Sequence, residues 1–250
     1  MTNKQIIVNN LLVSYFRNEN AGEKCLLFLH GWRSNKEIWL RVINQLKEKS
    51  YAIDFPGFGG SQMPKGAMTV GDYADAVKEF IEKLDLKNVI VVGHSFGGRV
   101  GIKLAAKYPN LISGLVLVDS AGFPMKKFKK DLMAAAAKIA RPIFKPNFMQ
   151  PIRKKIYEKI GAEDYIATPE LQKTFVNVVN EDLTEDLKRI SCPTLIITGE
   201  NDQDTPIEFG EKMNSLIPNS KFIILPNAGH FSFIDLPREF CQNIINFIQS

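Results

Sequence analysis

The chain has 250 residues, of which 45% are hydrophobic and 24% charged, and a formal net charge of +5. This composition excludes a disordered or collagen-like chain, and the length suffices for one large α/β core. No stretch approaches the roughly 18 consecutive apolar residues of a membrane span, and Asn and Ser interrupt the apolar residues of the N-terminal segment. We therefore predict a cytoplasmic protein with no signal peptide and no stable membrane insertion.

The predicted elements alternate between strands and helices along most of the chain. Short runs rich in β-branched and aromatic residues predict eight strands, at residues 6–8, 12–16, 25–30, 51–55, 89–93, 114–119, 194–199 and 221–226. Apolar residues at helical spacing predict helices at 70–84, with Thr69 as N-cap, and at 96–109, 207–217 and 238–248. The last six strands fit βαβ units and the first two an antiparallel edge. The predicted fold is α/β, a mostly parallel, eight-stranded, doubly wound sheet.

One interval breaks this alternation. Residues 123–190 contain no convincing strand, only short helical pieces such as 129–140 and 168–180, separated by prolines. We predict that residues 1–122 and 191–250 form the core and that 123–190 form a helical cap inserted after the sixth strand, without being an independent domain. Residues 123–161 carry a net charge of +9. This charge would either attract an acidic substrate, a phosphate-bearing thioester or an anionic membrane surface, or simply belong to the solvated outer face of the cap helices.

Ser95 lies between two glycines in the stretch VIVVGHSFGGRVGI, residues 89–102. In a G-x-S-x-G turn the chain passes sharply from a strand into a helix, and the serine hydroxyl projects from the end of the strand. Gly93 and Gly97 lack the β-carbons that would clash in such a turn. An apolar strand precedes this motif and a predicted helix follows it, so Ser95 is a candidate nucleophile.

A serine hydroxyl needs a base and an orienting carboxylate. His230 follows the last strand, and it is the only histidine that comes after both the serine and the candidate acids, in the order expected of this architecture. Asp202 follows the seventh strand directly and is the first choice for the acid. Asp204 in the same loop and Asp119 at the end of the sixth strand remain alternatives.

An oxyanion hole needs two N–H groups beside the serine. The backbone N–H groups of Phe96, just after Ser95, and of Trp32, just after the third strand, are the candidates. Apolar aromatic side chains are also expected to contact the substrate, and the residues that we predict to bind it are Trp32, Phe96, Phe123 and Phe231.

The chain resembles the α/β-hydrolase family with a helical cap. The residues that carry the resemblance occur in the family's order from about residue 26 to the C-terminus: LFLHGW, DFPGFGGS, GHSFGG, GENDQDTP and AGHF. The resemblance implies a serine hydrolase in which Ser95 is the nucleophile, Asp202 the acid and His230 the base, with the N–H groups of Trp32 and Phe96 as oxyanion donors. Relatives that resemble haloalkane dehalogenases and epoxide hydrolases have an aspartate at the elbow, so the serine argues against those branches.

The remaining chemically capable residues have structural interpretations. His30 is expected to brace the oxyanion loop, His94 to pack beside the elbow, and Asp54 to hold its own glycine-rich loop. The three cysteines are widely spaced and form no CxxC pair, and the three histidines form no cluster with them, so we expect no disulfide, no metal and no cofactor.

The expected activity is hydrolysis of a small, largely apolar ester or thioester through an acyl-enzyme on Ser95. Three alternatives remain open: cleavage of a C–C bond in a ring-fission product, perhydrolysis, and a hydrolase-like ligand receptor with slow turnover. The carboxylates of a ring-fission product would favour an inward-facing cation, with Arg99 and Arg153 as candidates. The expected partner is a small acyl substrate and not a nucleic acid, because no nucleic-acid-binding motif accompanies the basic charge. The sequence leaves the oligomeric state open.

Overall fold

A computed structural model describes residues 1–20, 22–124 and 168–249. All eight predicted strands are present in these ranges and form one sheet in the order β1-β2-β4-β3-β5-β6-β7-β8. The strands are β1 (Thr2–Val8), β2 (Leu11–Asn18), β3 (Cys25–Leu29), β4 (Lys49–Ile53), β5 (Val89–His94), β6 (Gly114–Val118), β7 (Thr194–Gly199) and β8 (Ser220–Leu225).

The sheet has the predicted mixture of pairings. β2 pairs antiparallel with β1 and with β4, while the six strands from β3 to β8 pair in parallel. β1 begins four residues earlier than predicted, at Thr2, because the polar residues 2–5 continue the antiparallel ladder with Arg17 to Ser14. The antiparallel edge predicted for the first two strands is therefore confirmed, and it is longer than the apolar pattern indicated.

Helices of the described ranges flank this sheet. They are α1 (Leu40–Ile43), α2 (Val70–Lys83), α3 (Phe96–Lys107), α4 (Gln172–Asn180), α5 (Thr184–Leu187), α6 (Ile207–Leu216), α7 (Ser232–Asp235) and α8 (Pro237–Gln249), with 3-10 turns at Lys36–Trp39 and Pro169–Leu171. Thr69 caps α2 as predicted, in a capping box with Asp72. No helix of these ranges is both long and apolar enough to cross a membrane.

The core lies on both faces of the sheet. Successive β3 side chains alternate between two buried clusters: Leu27 and Leu29 pack with α2 and α3, whereas Leu26 and Phe28 pack with α1 and α8. This double coverage explains why the central strands read as continuous apolar runs.

The described part of the predicted cap is helical. The 3-10 turn at Pro169–Leu171 and α4 occupy the piece predicted at 168–180, and α4 is tied to the core because Thr174 Oγ1 accepts a hydrogen bond from Met68 N at 3.0 Å. The helical piece predicted at 129–140, Arg153 and most of the basic stretch lie outside the described residues. The division into core and cap stays a prediction.

Candidate active site

The candidate residues lie at one edge of the sheet. Parallel strands present their carboxyl ends at the same edge, where α/β proteins place their sites. β3 leads to Trp32, β5 to Ser95, β6 to Asp119, and β7 to Asp202, while His230 follows β8. The parallel topology thus accounts for the convergence of residues that are far apart in the sequence.

Ser95 occupies the sharp turn between β5 and α3. Its φ of 50° lies in the left-handed region, which a residue with a side chain adopts only at a cost. The neighbouring glycines make the turn possible, because a Cβ on Gly93 would lie 2.5 Å from the carbonyl oxygen of Gly97. The Ser95 N–H donates to Val118 O at 3.0 Å, which ties the elbow to the end of β6. Ser95 itself is half-buried.

Asp202 and His230 form a hydrogen-bonded pair. His230 Nδ1 lies 2.9 Å from Asp202 Oδ2. Asp202 is held in turn by Thr205, whose hydroxyl donates to Oδ2 at 2.6 Å and whose N–H donates to Oδ1 at 2.9 Å. No sequence pattern singles out Thr205, although it lies three residues after the acid in the same loop. With Nδ1 on the carboxylate, Nε2 is the nitrogen that can serve a serine or a substrate.

The electrostatics of the pair favour a charged imidazole opposite a charged carboxylate. Burial alone would lower the pKa of His230, but the hydrogen bond and charge of Asp202, with the charges of Asp204 and Asp119, raise the pKa above its usual 6.5. Burial likewise acts to raise the pKa of Asp202, and the contacts with His230 and Thr205 outweigh it, so that this pKa is lowered from 3.8.

The two alternative acids have other partners. In Asp119, Oδ1 accepts a hydrogen bond from Gly199, and Oδ2 accepts two from Ser232. Asp204 is exposed, and its N–H donates to Asp202 Oδ1 at 2.8 Å. Asp202, Asp204 and His230 each have one possible ligand atom within 4.8 Å of those of the other two, a spacing also found in metal sites. The oxygens of Asp202, however, already accept hydrogen bonds from Thr205 and from the imidazole.

The Trp32 N–H is directed by a brace on the preceding carbonyl. His30 Nε2 accepts a hydrogen bond from Phe55 N at 3.0 Å, so Nδ1 carries the proton and donates to Gly31 O at 2.7 Å. Burial supports this neutral form because it lowers the pKa of His30 to about 4. A trans peptide directs its C=O and N–H in opposite directions, so anchoring Gly31 O fixes the direction of the Trp32 N–H. The bracing role predicted for His30 is confirmed.

The Phe96 N–H is directed in the same way. The Ser95 carbonyl accepts hydrogen bonds from Gly98 N at 3.0 Å and Arg99 N at 3.2 Å, and the Phe96 N–H of the same peptide therefore points away from α3. Within the described ranges neither this N–H nor that of Trp32 donates to a protein acceptor. A Cβ on Gly31 would lie 3.5 Å from Ser95 Cβ, which places the Trp32 loop against the elbow.

Aromatic side chains surround the Trp32 loop. The Trp32 ring lies 4.9 Å from the ring of Phe58, 5.4 Å from that of Phe96 and 5.3 Å from that of Phe175 on α4. The indole N–H of Trp32 is buried and meets no acceptor in the part of the chain that the structure describes. The surroundings of Trp32 and Phe96 are therefore apolar, and the indole N–H of Trp32 is a donor that a substrate can use.

The other two predicted substrate contacts differ from each other. Phe231 is exposed, and its ring lies 5.4 Å from the imidazole of His230. Phe123 is buried against α6, where its ring lies 5.6 Å from that of Phe209 and 3.9 Å from the Lys212 ammonium. The side chain of Phe123 is thus occupied in packing, and its predicted contact with substrate gains no support from these neighbours.

Arg99 is a candidate to bind a substrate carboxylate, which requires a guanidinium with donors to spare. It is buried, and its guanidinium donates to the carbonyl oxygens of Phe123 at 2.8 Å and Glu181 at 2.9 Å. These bonds join α3 to the segment that precedes residue 125 and to the residue that follows α4. The guanidinium is used to hold the backbone there.

Known proteins of similar sequence and structure are hydrolases with the same fold. The model of the alpha/beta hydrolase family matches residues 26–243. An uncharacterized hydrolase of Bacillus subtilis, YugF, is 28% identical over 98% of this chain and 97% of its own. Lipase 1 of Psychrobacter immobilis is 29% identical over 92% of this chain and 78% of its own. An esterase of Exiguobacterium antarcticum with 21% identity superposes over 100% of both chains with a TM-score of 0.81, which shows the shared fold. The chain belongs to the alpha/beta hydrolase family and is a hydrolase.

Proposed function

We propose that this hydrolase cleaves a small, largely apolar carboxylic ester or thioester through an acyl-enzyme on Ser95. The observation that carries the proposal is the 2.9 Å hydrogen bond from His230 Nδ1 to Asp202. It leaves Nε2 without a hydrogen-bond partner among the described residues, on a loop at the same sheet edge as Ser95. A hydroxyl becomes nucleophilic only when a positioned base can take its proton.

The reaction follows from these positions. His230 Nε2 takes the proton of Ser95 Oγ as the oxygen attacks the carbonyl carbon of the substrate, and the N–H groups of Trp32 and Phe96 stabilise the resulting oxyanion. The protonated imidazole, stabilised by Asp202, then gives its proton to the leaving alcohol or thiol. Water, deprotonated by the same imidazole, releases the acyl group as a carboxylic acid and restores the serine.

Two observations support an apolar substrate. The aromatic rings around Trp32 offer no charge to a substrate, and the guanidinium of Arg99 is used by backbone carbonyls. The relationship to Lipase 1 of Psychrobacter immobilis agrees with an ester of lipid-like character. The three cysteines are free and buried, which is compatible with the cytoplasmic location that we also propose.

The test is labelling with a fluorophosphonate probe, located by peptide mass, together with hydrolysis of p-nitrophenyl butyrate and of an S-butyryl thioester. We expect the label on Ser95 and a loss of more than about a thousandfold in kcat for Ser95→Ala. Ser215→Ala, which changes an exposed serine on α6, is the matched control and should react like the parent.

These measurements, with a ring-fission diene added as a further substrate, test the nucleophile and separate two of the alternatives. Parent-like hydrolysis by Ser95→Ala would refute the nucleophile. Sustained turnover of the esters would argue against a slow ligand receptor, and faster cleavage of a ring-fission diene than of either ester would replace ester hydrolysis by C–C hydrolysis.

A further inference from the structure

Asp119 is a fully buried carboxylate at the end of β6 that the proposed reaction does not use. It accepts three hydrogen bonds. The Gly199 N–H donates to Oδ1 at 2.8 Å, and the Ser232 N–H and hydroxyl donate to Oδ2 at 3.0 and 2.7 Å. The hydrogen bond to the His230 imidazole is made by Asp202 instead.

The partners of Asp119 belong to the two loops that carry the acid and the base. Gly199 ends β7, and its carbonyl accepts a hydrogen bond from Asp202 N at 3.2 Å. Ser232 begins α7, two residues after His230. One carboxylate therefore links the strand that leads to Asp202 with the turn that follows His230.

The backbone of Asp119 is also held in an unusual conformation. Its φ is 45°, in the left-handed region, and its N–H donates to Ile197 O at 2.8 Å on β7. A non-glycine residue in this region costs free energy, and such residues cluster at functional sites. The carboxylate of this residue lies against the end of β7 and the start of α7.

Asp119 is a poor choice for stability alone. Burial raises its pKa to about 7, and the three donors only partly oppose that effect. The folded protein therefore holds a proton on this carboxyl more tightly than the unfolded chain does, and ionisation at higher pH works against folding. A group that destabilises the fold when charged is expected to persist where the charge serves another purpose.

We propose that Asp119 is a positioning residue that holds the Asp202 loop and the His230 loop in register, so that the carboxylate of Asp202 meets the imidazole of His230. The inference rests on the proposed function, because it concerns the pair that would activate Ser95. Asp119 acts through Gly199 and Ser232 and touches neither Ser95 nor the reacting atoms.

The charge of Asp119 also reaches His230. The groups that face this imidazole from the described elements are Asp202 and Asp204 from the loop after β7, Asp119 from the end of β6, and His94 from the end of β5. The three carboxylates all favour the protonated imidazole. Neutralising Asp119 should lower the pKa of His230, both by removing charge and by loosening the hydrogen bond to Asp202.

The chain permits a direct measurement of this pKa. It contains three histidines, and burial lowers the pKa of His30 to about 4 and that of His94 to about 3. The pKa of His230 is instead raised above 6.5, so its NMR signal titrates apart from those of the other two histidines. In Asp119→Asn we expect its midpoint to fall by about half a pH unit, and kcat on p-nitrophenyl butyrate to fall about ten- to a hundredfold.

Asp186→Asn is the matched control. Asp186 is a buried carboxylate on α5 whose hydrogen bonds go to Lys103 and Arg189, so its loss should leave the His230 midpoint unchanged. If Asp119→Asn does not fold, Ser232→Ala removes one of the three bonds and should shift the midpoint and kcat in the same direction by less. Parent-like midpoint and kcat in Asp119→Asn, or in Ser232→Ala where only that variant folds, would overturn the inference.

The failure of this inference can be distinguished from failure of the proposed function. The NMR midpoint is read without substrate, whereas the function depends on Ser95. An inactive Ser95→Ala together with parent-like Asp119→Asn would overturn the role of Asp119 alone. A fully active Ser95→Ala would overturn the proposed function and the positioning role with it.

Discussion

His94 donates a hydrogen bond from Nε2 to the carbonyl oxygen of His230, with the two atoms 2.7 Å apart. His94 is buried, and burial, with the charge of His230 as the next cause, lowers its pKa to about 3, so the ring is neutral. A carbonyl only accepts, so Nε2 carries the proton and Nδ1 does not. The backbone of the candidate base is therefore anchored to the residue next to the candidate nucleophile.

His94→Phe should reduce activity, with a loss of about 1 to 3 kcal/mol in the free energy of unfolding because the His230 carbonyl loses its donor. The substitution keeps a ring against Phe231 and Phe233 but removes the donor to His230. A hydrogen bond of this kind contributes about 1 kcal/mol, so we expect kcat/KM to fall about fivefold to tenfold. Steady-state hydrolysis of p-nitrophenyl butyrate measures the effect, and unchanged kcat/KM would show that the anchor has no catalytic importance.

The pH profile should reflect the pKa of His230. A general base must be neutral, so kcat/KM should rise with pH through this pKa, which lies above 6.5. Asp202→Asn removes the main group that raises the pKa, and the midpoint of the acid limb should move to lower pH while kcat falls by about 10⁴-fold. An unmoved midpoint in Asp202→Asn would indicate that another carboxylate orients the imidazole.

Stability should depend on pH through the same pair. The folded pKa of His230 is raised, so its contribution is present below pH 6.5 and is lost as pH rises through the folded value. The folded pKa of Asp202 is lowered, so its contribution is present above pH 3.8 and is lost as pH falls through the folded value. Urea unfolding should therefore show the largest difference between the parent and His230→Gln at pH values between these two. A difference that does not vary with pH would contradict the coupling.

The sequence predicts those parts of this molecule that local patterns encode. A few consecutive residues are enough to predict each of the eight strands, the sharp turn at Ser95 and the N-cap of α2 at Thr69. The partner of His230 could not be decided in this way, because Asp119 and Asp202 both follow parallel strands and only the course of the loops determines which one meets the imidazole. The hydrogen bond between His94 and His230 joins residues 136 positions apart, and no local pattern signals it.

Ser95→Gly should be more stable than Ser95→Ala. The left-handed φ of 50° at this position favours glycine, whereas alanine retains the steric cost. We expect a difference of about 1 kcal/mol in the free energy of unfolding, or about 2 to 4 °C in Tm for a chain of this size. Thermal unfolding of the two inactive variants tests this, and a higher Tm for Ser95→Ala would mean that the turn stores no strain.

A buried ion pair just after the loop that carries Trp32 gives the last prediction. Lys36 Nζ lies 2.6 Å from Asp54 Oδ2 and donates to Ser14 Oγ at 2.9 Å, while Asp54 also accepts from Gly60 N at 2.8 Å. This confirms that Asp54 holds its glycine-rich loop and adds a buried lysine, for which the sequence offered no signal. Lys36→Met leaves the Asp54 charge buried without its cation, so we expect a loss of about 3 to 5 kcal/mol in the free energy of unfolding.

The control for Lys36→Met is Lys78→Met. Lys78 pairs with Glu82 at 2.7 Å on the solvent face of α2, where side chains are about a third to a half exposed, 33% and 49%. Water screens such a pair, so its loss should cost much less free energy of unfolding than the loss of Lys36. Urea unfolding of both variants decides the matter, because equal losses would mean that the Lys36–Asp54 pair is no more important to the fold than a pair at the surface.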